Sequence, residues 1–343
     1  MMRGLAAIYV AVGHWVVDAF GLQGHRGVIP WLFGQEAVMV FFLLSGFVVY
    51  YSTHGHRDQS FGGYFKRRFL RIYPIFLLAL AVSCLLAGGP ATIPAHGREL
   101  AGNLLFLQDN SAGKPGNWFV PAYGDLPLWS LSYEWWFYLL FFPLYKFVPL
   151  RWQLPGAAAV SLAGLATYAW RPNPLSLFAL YFILWWTGLE LARTYARGVT
   201  PTFRTQRDSL LVLGGFCVLV AVVMLRVLPR DAPLSHGLHP LLEVRHFVGA
   251  TLIVCGALLW SRWGWRGFGR IFGVFAWLAP VSYAIYVFHF PVGTRVMGLA
   301  SLPNPWLRVA LAAALTLALA YLAEIPFQRA VNRWAWRGRT TAR

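Results

Sequence analysis

The chain is a succession of apolar runs, each close to the length that crosses a lipid bilayer, separated by short joints that carry arginine. A hydrocarbon core of about 30 Å takes about 20 helical residues to span. Backbone groups in lipid must pair internally, so such runs fold as helices. Reading them between Arg, Pro, Gly and loop residues predicts ten spans near 4–21, 31–51, 69–87, 128–147, 155–170, 175–192, 209–227, 246–261, 271–293 and 306–323. The expectation is an all-α integral membrane protein, one bundle of about ten transmembrane helices occupying 1–343 as a single domain. Composition excludes the soluble alternative: 58% of residues are hydrophobic and 12% charged, about half the charged share of a soluble protein.

The formal net charge is +17, and only Lys66, Lys114 and Lys146 among the cations are lysines. The arginines fall between apolar runs instead of forming a stripe, which argues for membrane topology and against a nucleic-acid partner. With the N-terminus in the cytoplasm, the inner segments hold twenty of the twenty-nine cations. Both termini are then cytoplasmic, the tail 324–343 is the most basic segment, and the protein is a multi-pass protein of the cell (inner) membrane. The opening MMRGLAAIYVAVGHW has Asp18 downstream and no small-residue cleavage site, unlike a signal peptide. Cys84, Cys217 and Cys255 lie inside apolar runs without metal or disulfide spacing and are expected to pack. No internal repeat is visible. The long outer connection 88–127 contains Leu100–Leu107, which either dips into the bilayer or packs across the mouth of the bundle.

Ionisable side chains at membrane depth are costly and mark candidate sites. The first span carries Arg3 at its start and His14 eleven residues on, about 16 Å along a helix. Asp18 follows His14 at i+4 on the same face. A carboxylate there can hold an imidazole as a general base; the two could equally satisfy each other across a helix interface. The third span opens Lys66-Arg67-Arg68-Phe69-Leu70-Arg71-Ile72-Tyr73-Pro74. Arg68 and Arg71 share a face and suit phosphate, whereas anchoring to anionic headgroups accounts for Lys66 and Arg67 as well. In the fourth span, Glu134 lies among the aromatics of Trp129-Ser130-Leu131-Ser132-Tyr133-Glu134-Trp135-Trp136. It needs a partner from another helix or a proton. His289, in Ser282–Pro291, either contacts substrate or bonds a neighbouring helix. Glu36, Glu190 and Glu324 are weaker candidates at span ends. Ser45, in Leu43-Leu44-Ser45-Gly46-Phe47, lacks the Gly-x-Ser-x-Gly turn of a nucleophile and reads as a helix contact.

Taken in order, these segments resemble the membrane acyltransferase-3 family, integral-membrane O-acyltransferases that acylate bacterial surface glycans and other small acceptors. The resemblance runs through Arg3–His14 in RGLAAIYVAVGH, FFLLSGF at 41–47, Arg68-x-x-Arg71-x-x-Pro74, WSLSYEWWFY at 129–138, SYAIYVFHFP at 282–291 and Glu324-x-Pro326. It departs at Phe290, often Trp in the family, and at Met39, often Asp.

The resemblance implies transfer of an acyl group, acetyl by default, from cytoplasmic acyl-CoA (acetyl-CoA) to a hydroxyl of a carbohydrate or other small acceptor at the far side. His14 and Arg3 would be catalytic, with Glu134 and Asp18 beside them. Arg67, Arg68, Arg71 and Tyr73 would hold the donor, and Trp129, Ser132, Tyr133 and His289 the acceptor, with His14 oriented by Asp18 or Glu134. No metal is implied. Arg262 or Arg266 would assist at the nucleotide. Some family members carry an esterase-like domain after the bundle, and the end of this chain implies a separate protein for any such step. The competing reading is a proton-coupled transporter or flippase, since intramembrane His, Asp and Glu also relay protons. The sequence leaves the oligomeric state open, a dimer included.

Overall fold

The computed structural model describes residues 1–23, 31, 33–110, 113–227, 237–299 and 301–336, and those residues are helical with no strand. The basic tail beyond residue 336 lies outside them. The long helices are α1 (Met2–Ala19), α2 (Gly34–His54) and α3 (Phe61–Leu86), then a short α4 (Ile93–Leu104) in the connection 88–127. They continue with α5 (Trp129–Phe147), α6 (Leu150–Trp170), α7 (Pro174–Ala196), α8 (Arg207–Val227) and α9 (Leu241–Arg262). Short α10 (Phe268–Phe272) precedes α11 (Ser282–Met297), and α12 (Pro305–Leu322) and α13 (Gln328–Trp336) end the described chain.

Each predicted span coincides with a helix, with one change of form. The stretch predicted as one span over 271–293 is broken: Phe268–Phe275 and Ala279–Met297 meet at 48°. Pro280 follows the break, in the first turn of the second piece, where its ring crowds the preceding residues. Among the described residues six helices are long and apolar enough to cross a membrane: α2, α3, α7, α8, α9 and the run from Pro305 to Trp336; the bent pair would make seven. The helices α1, α5 and α6 are less apolar because they carry Arg3, His14 and Asp18, then Glu134 among tyrosines and tryptophans, then Arg151 and Gln153.

Local signals set the helix ends. Ser60 caps α3 by accepting from the Gly63 N–H at 3.1 Å. Asn173 and Asn304 do the same for α7 and α12, each with Pro at the first turn. Pro326 widens the chain after α12 into a π turn over Ala323–Phe327, since it cannot supply the i→i−4 bond.

Helix α7 is the hub, with 78% of its apolar stretch buried. It crosses α2 at two glycines: a Cβ on Gly46 would sit 2.0 Å from the Trp185 carbonyl, and one on Gly188 would sit 1.9 Å from the Leu43 carbonyl. Small residues thus let two backbones touch. Helix α1 also packs on α11, where Gly293 leaves room for the Trp15 indole. The outer faces of α8, α9 and α12 expose Leu211, Val218, Leu252, Leu259 and Leu315, and Trp170, Trp263 and Trp306 stand exposed near helix ends. That distribution suits lipid with aromatic residues at its edges. In the connection 88–127, Leu100–Leu107 packs on the bundle: Phe106 is fully buried against Phe76 and Trp135, and its carbonyl accepts from Trp136 Nε1 at 2.9 Å.

Candidate active site

Two cavities open along the same four helices. One, of about 530 Å³, is lined by Gly13, His14 and Asp18 of α1, Val38 of α2, Trp129 of α5, and Tyr286 and Phe290 of α11. The other, of about 300 Å³, is lined by Arg3 of α1, Ser45 of α2, Arg67, Arg68 and Arg71 of α3, Glu134 of α5 and Tyr283 of α11. On α1, α2, α5 and α11 the nearest residues facing the two cavities lie three to seven positions apart, about 5–11 Å at 1.5 Å per residue. The order of the two cavities reverses from α1 to α2 and again between α5 and α11, so one cavity lies at each end of this group.

The arginine cavity brings together motifs far apart in sequence. Arg71 forks onto Glu324, with Nη1 2.5 Å from Oε2 and Nη2 3.1 Å from Oε1. Glu324 is held at the π turn that Pro326 creates and is nearly buried. A bidentate pair of this kind is directional and strong. Arg71 is therefore paired with a carboxylate while it lines the cavity beside Arg3, Arg67 and Arg68. Arg68 Nη2 donates to Ser52 Oγ at 2.7 Å and its guanidinium lies over the Tyr64 and Tyr138 rings, each 5.6 Å away. Arg67 Nη2 donates to the Asp58 carbonyl at 3.0 Å. Lys66 points elsewhere, to the Ala335 carbonyl at 2.6 Å and over the Trp336 ring, tying α3 to α13.

Glu134 finds the partners its burial demands. Its Oε1 accepts from Ser45 Oγ at 2.6 Å and from the Tyr138 hydroxyl at 2.5 Å. Trp185 Nε1 donates to Ser45 Oγ at 3.2 Å. Ser45 is thus the helix contact its sequence context suggests, and it also orients the carboxylate.

At the other cavity the partner of His14 is not the one expected from spacing. Asp18 lines the cavity, but its Oδ1 accepts from Gln23 Nε2 at 2.9 Å, and Glu134 belongs to the other cavity. The i+4 spacing does put Asp18 on the His14 face, yet the nearby amide takes the carboxylate and α11 takes the imidazole. His14 Nδ1 lies 3.4 Å from His289 Nε2, and His289 Nδ1 lies 2.7 Å from the Tyr286 carbonyl. His289 is fully buried behind His14 and does not line this cavity. Trp15 Nε1 donates to the His289 carbonyl at 2.9 Å, which locks α1 to α11 beside the two rings.

Of the residues expected to bind acceptor, Trp129 lines the His14 cavity. Ser132 and Tyr133 are fully buried and line neither cavity. The Tyr133 hydroxyl instead donates to Asp109 Oδ2 at 2.8 Å, beside the Lys114–Asp109 ion pair, also 2.8 Å. Burial pushes the Asp109 carboxyl above its usual range, and the Lys114 ammonium opposes that shift. Tyr73 also lines neither cavity; its hydroxyl donates to the Leu104 carbonyl at 2.7 Å. It stands two residues beyond Arg71, about 200° round the helix.

Sequence reasoning passed over Arg245, which lines the His14 cavity and reaches Glu36 Oε1 at 2.6 Å. The signal was opposite charges at the outer ends of two spans, the same depth in the predicted topology. Among the described residues no group of His, Cys, Asp and Glu could hold a metal ion.

Comparison with known proteins agrees with these motifs. Residues 1–325 match the family described as "Acyltransferase domain". A relative described as acyltransferase MdmB, from Streptomyces mycarofaciens, is 29% identical over 295 residues, covering 77% of this chain and 70% of that protein. No solved structure gives a significant match. A match over residues 1–325, carried on several long apolar helices, makes the chain a multi-pass membrane acyltransferase that belongs to the acyltransferase-3 family.

Proposed function

We propose that the protein moves an acyl group, acetyl by default, from cytoplasmic acyl-CoA to a hydroxyl of a carbohydrate or other small cell-envelope acceptor, with His14 as general base. The observation that carries this reading is the placement of Arg3 and His14 on one helix but in two different cavities, with α2, α5 and α11 also lining both. A donor with phosphates at one end and a thioester at the end of a flexible arm needs that arrangement. Its phosphates would rest on Arg3, Arg67 and Arg68. Its arm would lie between the shared helices, with the thioester carbonyl near His14. The acceptor would enter from the apolar cavity against Trp129 and Phe290.

In the reaction, the acceptor oxygen attacks the thioester carbonyl as the free nitrogen of His14 takes its proton. The new C–O bond forms, the C–S bond breaks, and the proton passes to the departing coenzyme A sulfur. General-base help of this kind is worth about 10²–10⁴-fold, and holding both substrates in one passage supplies much of the remainder. Glu134 and its Ser45 and Tyr138 partners would line the passage between the cavities.

The same reading places ten spans in the inner membrane with both termini cytoplasmic. The reversal of cavity order between successive helices supports it, because the arginine cavity then faces the donor compartment. The test uses membranes carrying the protein and acetyl-CoA labelled on the acetyl group, beside an equally expressed His14→Ala variant. Label reaching an extracytoplasmic product only with the intact histidine supports the proposal. Equal labelling without it breaks the base assignment, and movement of an unmodified solute would favour a transporter.

A further inference from the structure

The bond between the two buried histidines determines which nitrogen of His14 is free to act. A carbonyl oxygen has no proton, so His289 Nδ1, 2.7 Å from the Tyr286 carbonyl, must carry one and donate it. Among the described residues no carboxylate bonds either ring, so an imidazolium at this depth would have no counter-charge. Each ring therefore has a single N–H. For His289 it is spent on Tyr286, which leaves Nε2 with a lone pair facing His14 Nδ1 at 3.4 Å. Only one arrangement makes that contact attractive: His14 holds its proton on Nδ1 and donates it, and His14 Nε2 is the bare nitrogen.

We infer that His289 is a positioning residue, setting His14 in the Nδ1–H tautomer so that Nε2 is the base; this rests on the general-base reading above. In water an imidazole side chain favours the opposite tautomer, with Nε2 protonated, and a base in that form would present a proton to the hydroxyl it must deprotonate. The 3.4 Å separation is at the long end for a hydrogen bond, and catalytic contacts commonly tighten when substrates bind. The anchor behind it is firm. The Tyr286 hydroxyl accepts from Ser130 Oγ at 2.9 Å and donates to the Pro127 carbonyl at 3.1 Å, and the Trp15 indole holds the His289 backbone.

The test reads the tautomer directly, without needing the acceptor. The full chain, labelled with ¹⁵N-histidine and held in nanodiscs, is compared with His14→Ala, His289→Leu and His289→Gln by two-bond ¹H–¹⁵N correlation spectra. The resonance lost in His14→Ala should show the Nδ1–H pattern. It should switch to Nε2–H in His289→Leu and persist in His289→Gln, whose side-chain oxygen can accept the same proton. With labelled acetyl-CoA, transfer should fall on the order of 10²-fold or more in His289→Leu. The donor KM should stay unchanged, and His289→Gln should recover part of the rate. An Nε2–H pattern in the unaltered protein, or an Nδ1–H pattern that survives His289→Leu, overturns the inference. Activity retained by His14→Ala would instead remove the base reading and leave the tautomer result standing by itself. Should His289→Leu fail to fold, the spectrum of the unaltered protein and the His289→Gln variant still decide the matter.

Discussion

At one end of the shared helices Arg71 is forked onto Glu324 and Arg68 donates to Ser52, while at the other His14 meets an imidazole and the edge of Phe290. The first end spends charged groups on charged and hydroxyl partners. The second also holds Asp18 and the Arg245–Glu36 pair, but His14 itself is met by a second imidazole and an aromatic edge. The contrast follows from the cost of burying charge, which is tolerable where the charged groups pair and severe where they do not. It suits the division of labour proposed above, in which fixed cations would grip an anionic donor at one end and a neutral ring at the other would take up and release a proton.

Exchanging His14 for Ala is the sharpest way to break that division. Transfer of labelled acetyl should fall by about 10²–10⁴-fold while the KM for donor, measured on residual activity, stays within about twofold of its starting value. A matching rise in donor KM would mean that the two ends are not separate.

Glu324→Ala comes next, because it leaves Arg71 without its carboxylate. The Arg71 side chain is 34% exposed and Glu324 only 2%. The loss should therefore be on the order of 2 kcal/mol, below that of a fully buried pair. Unfolding in detergent, compared with Glu324→Gln, measures it; equal stability of all three forms would show that the pair serves the site and not the fold.

Arg68→Ala should then act in the opposite sense to His14→Ala. Losing a charged contact worth about 1.5–3 kcal/mol raises the donor KM roughly tenfold to a hundredfold and leaves turnover at saturating donor little changed. An unaltered KM would place the phosphates elsewhere.

The last prediction lies beside the cavities, in the connection to α5. Asp125 is 1% exposed, its Oδ2 accepts from Ser83 Oγ at 3.0 Å, and burial holds its carboxyl well above the usual range. Its folded pKa is thus raised relative to the unfolded chain. Below about pH 4 both states hold the proton and it has no effect on stability. As pH rises past that point the unfolded chain releases the proton first, so stability drops, by at most about 1.4 kcal/mol per pH unit, until the folded carboxyl ionises too. Asp125→Asn keeps the acceptor for Ser83 and removes this slope, so it should be the more stable form at neutral pH. A thermal-unfolding series from pH 4 to pH 8 on both proteins checks it; parallel curves would contradict the shift.

Much of this site was legible because the arginine end is written in local motifs. Arg68 and Arg71 share a face by spacing alone, and Glu134 announces itself as a carboxylate among aromatics. The histidine end was harder to read. His14 and Asp18 at i+4 suggest a bond, but sequence spacing says which residues share a face and not which neighbour outcompetes the other. Gln23 takes Asp18, and His289, 275 residues away, takes His14. Tyr73 and Tyr133 show the same limit of spacing: each lies within a site motif, and each turns its hydroxyl away from the two cavities, to Leu104 and to Asp109.

The sequence by itself determined the helical, lipid-facing architecture, because apolar runs of bilayer length admit no other backbone pairing. It also determined the family and the residue types the chemistry needs. Only the tertiary structure decided that two cavities share four helices, that Arg71 belongs to Glu324, and that His14 leans on His289. Those choices depend on which helix faces which, and small residues such as Gly46, Gly188 and Gly293 set that by allowing close approach where a single Cβ would collide.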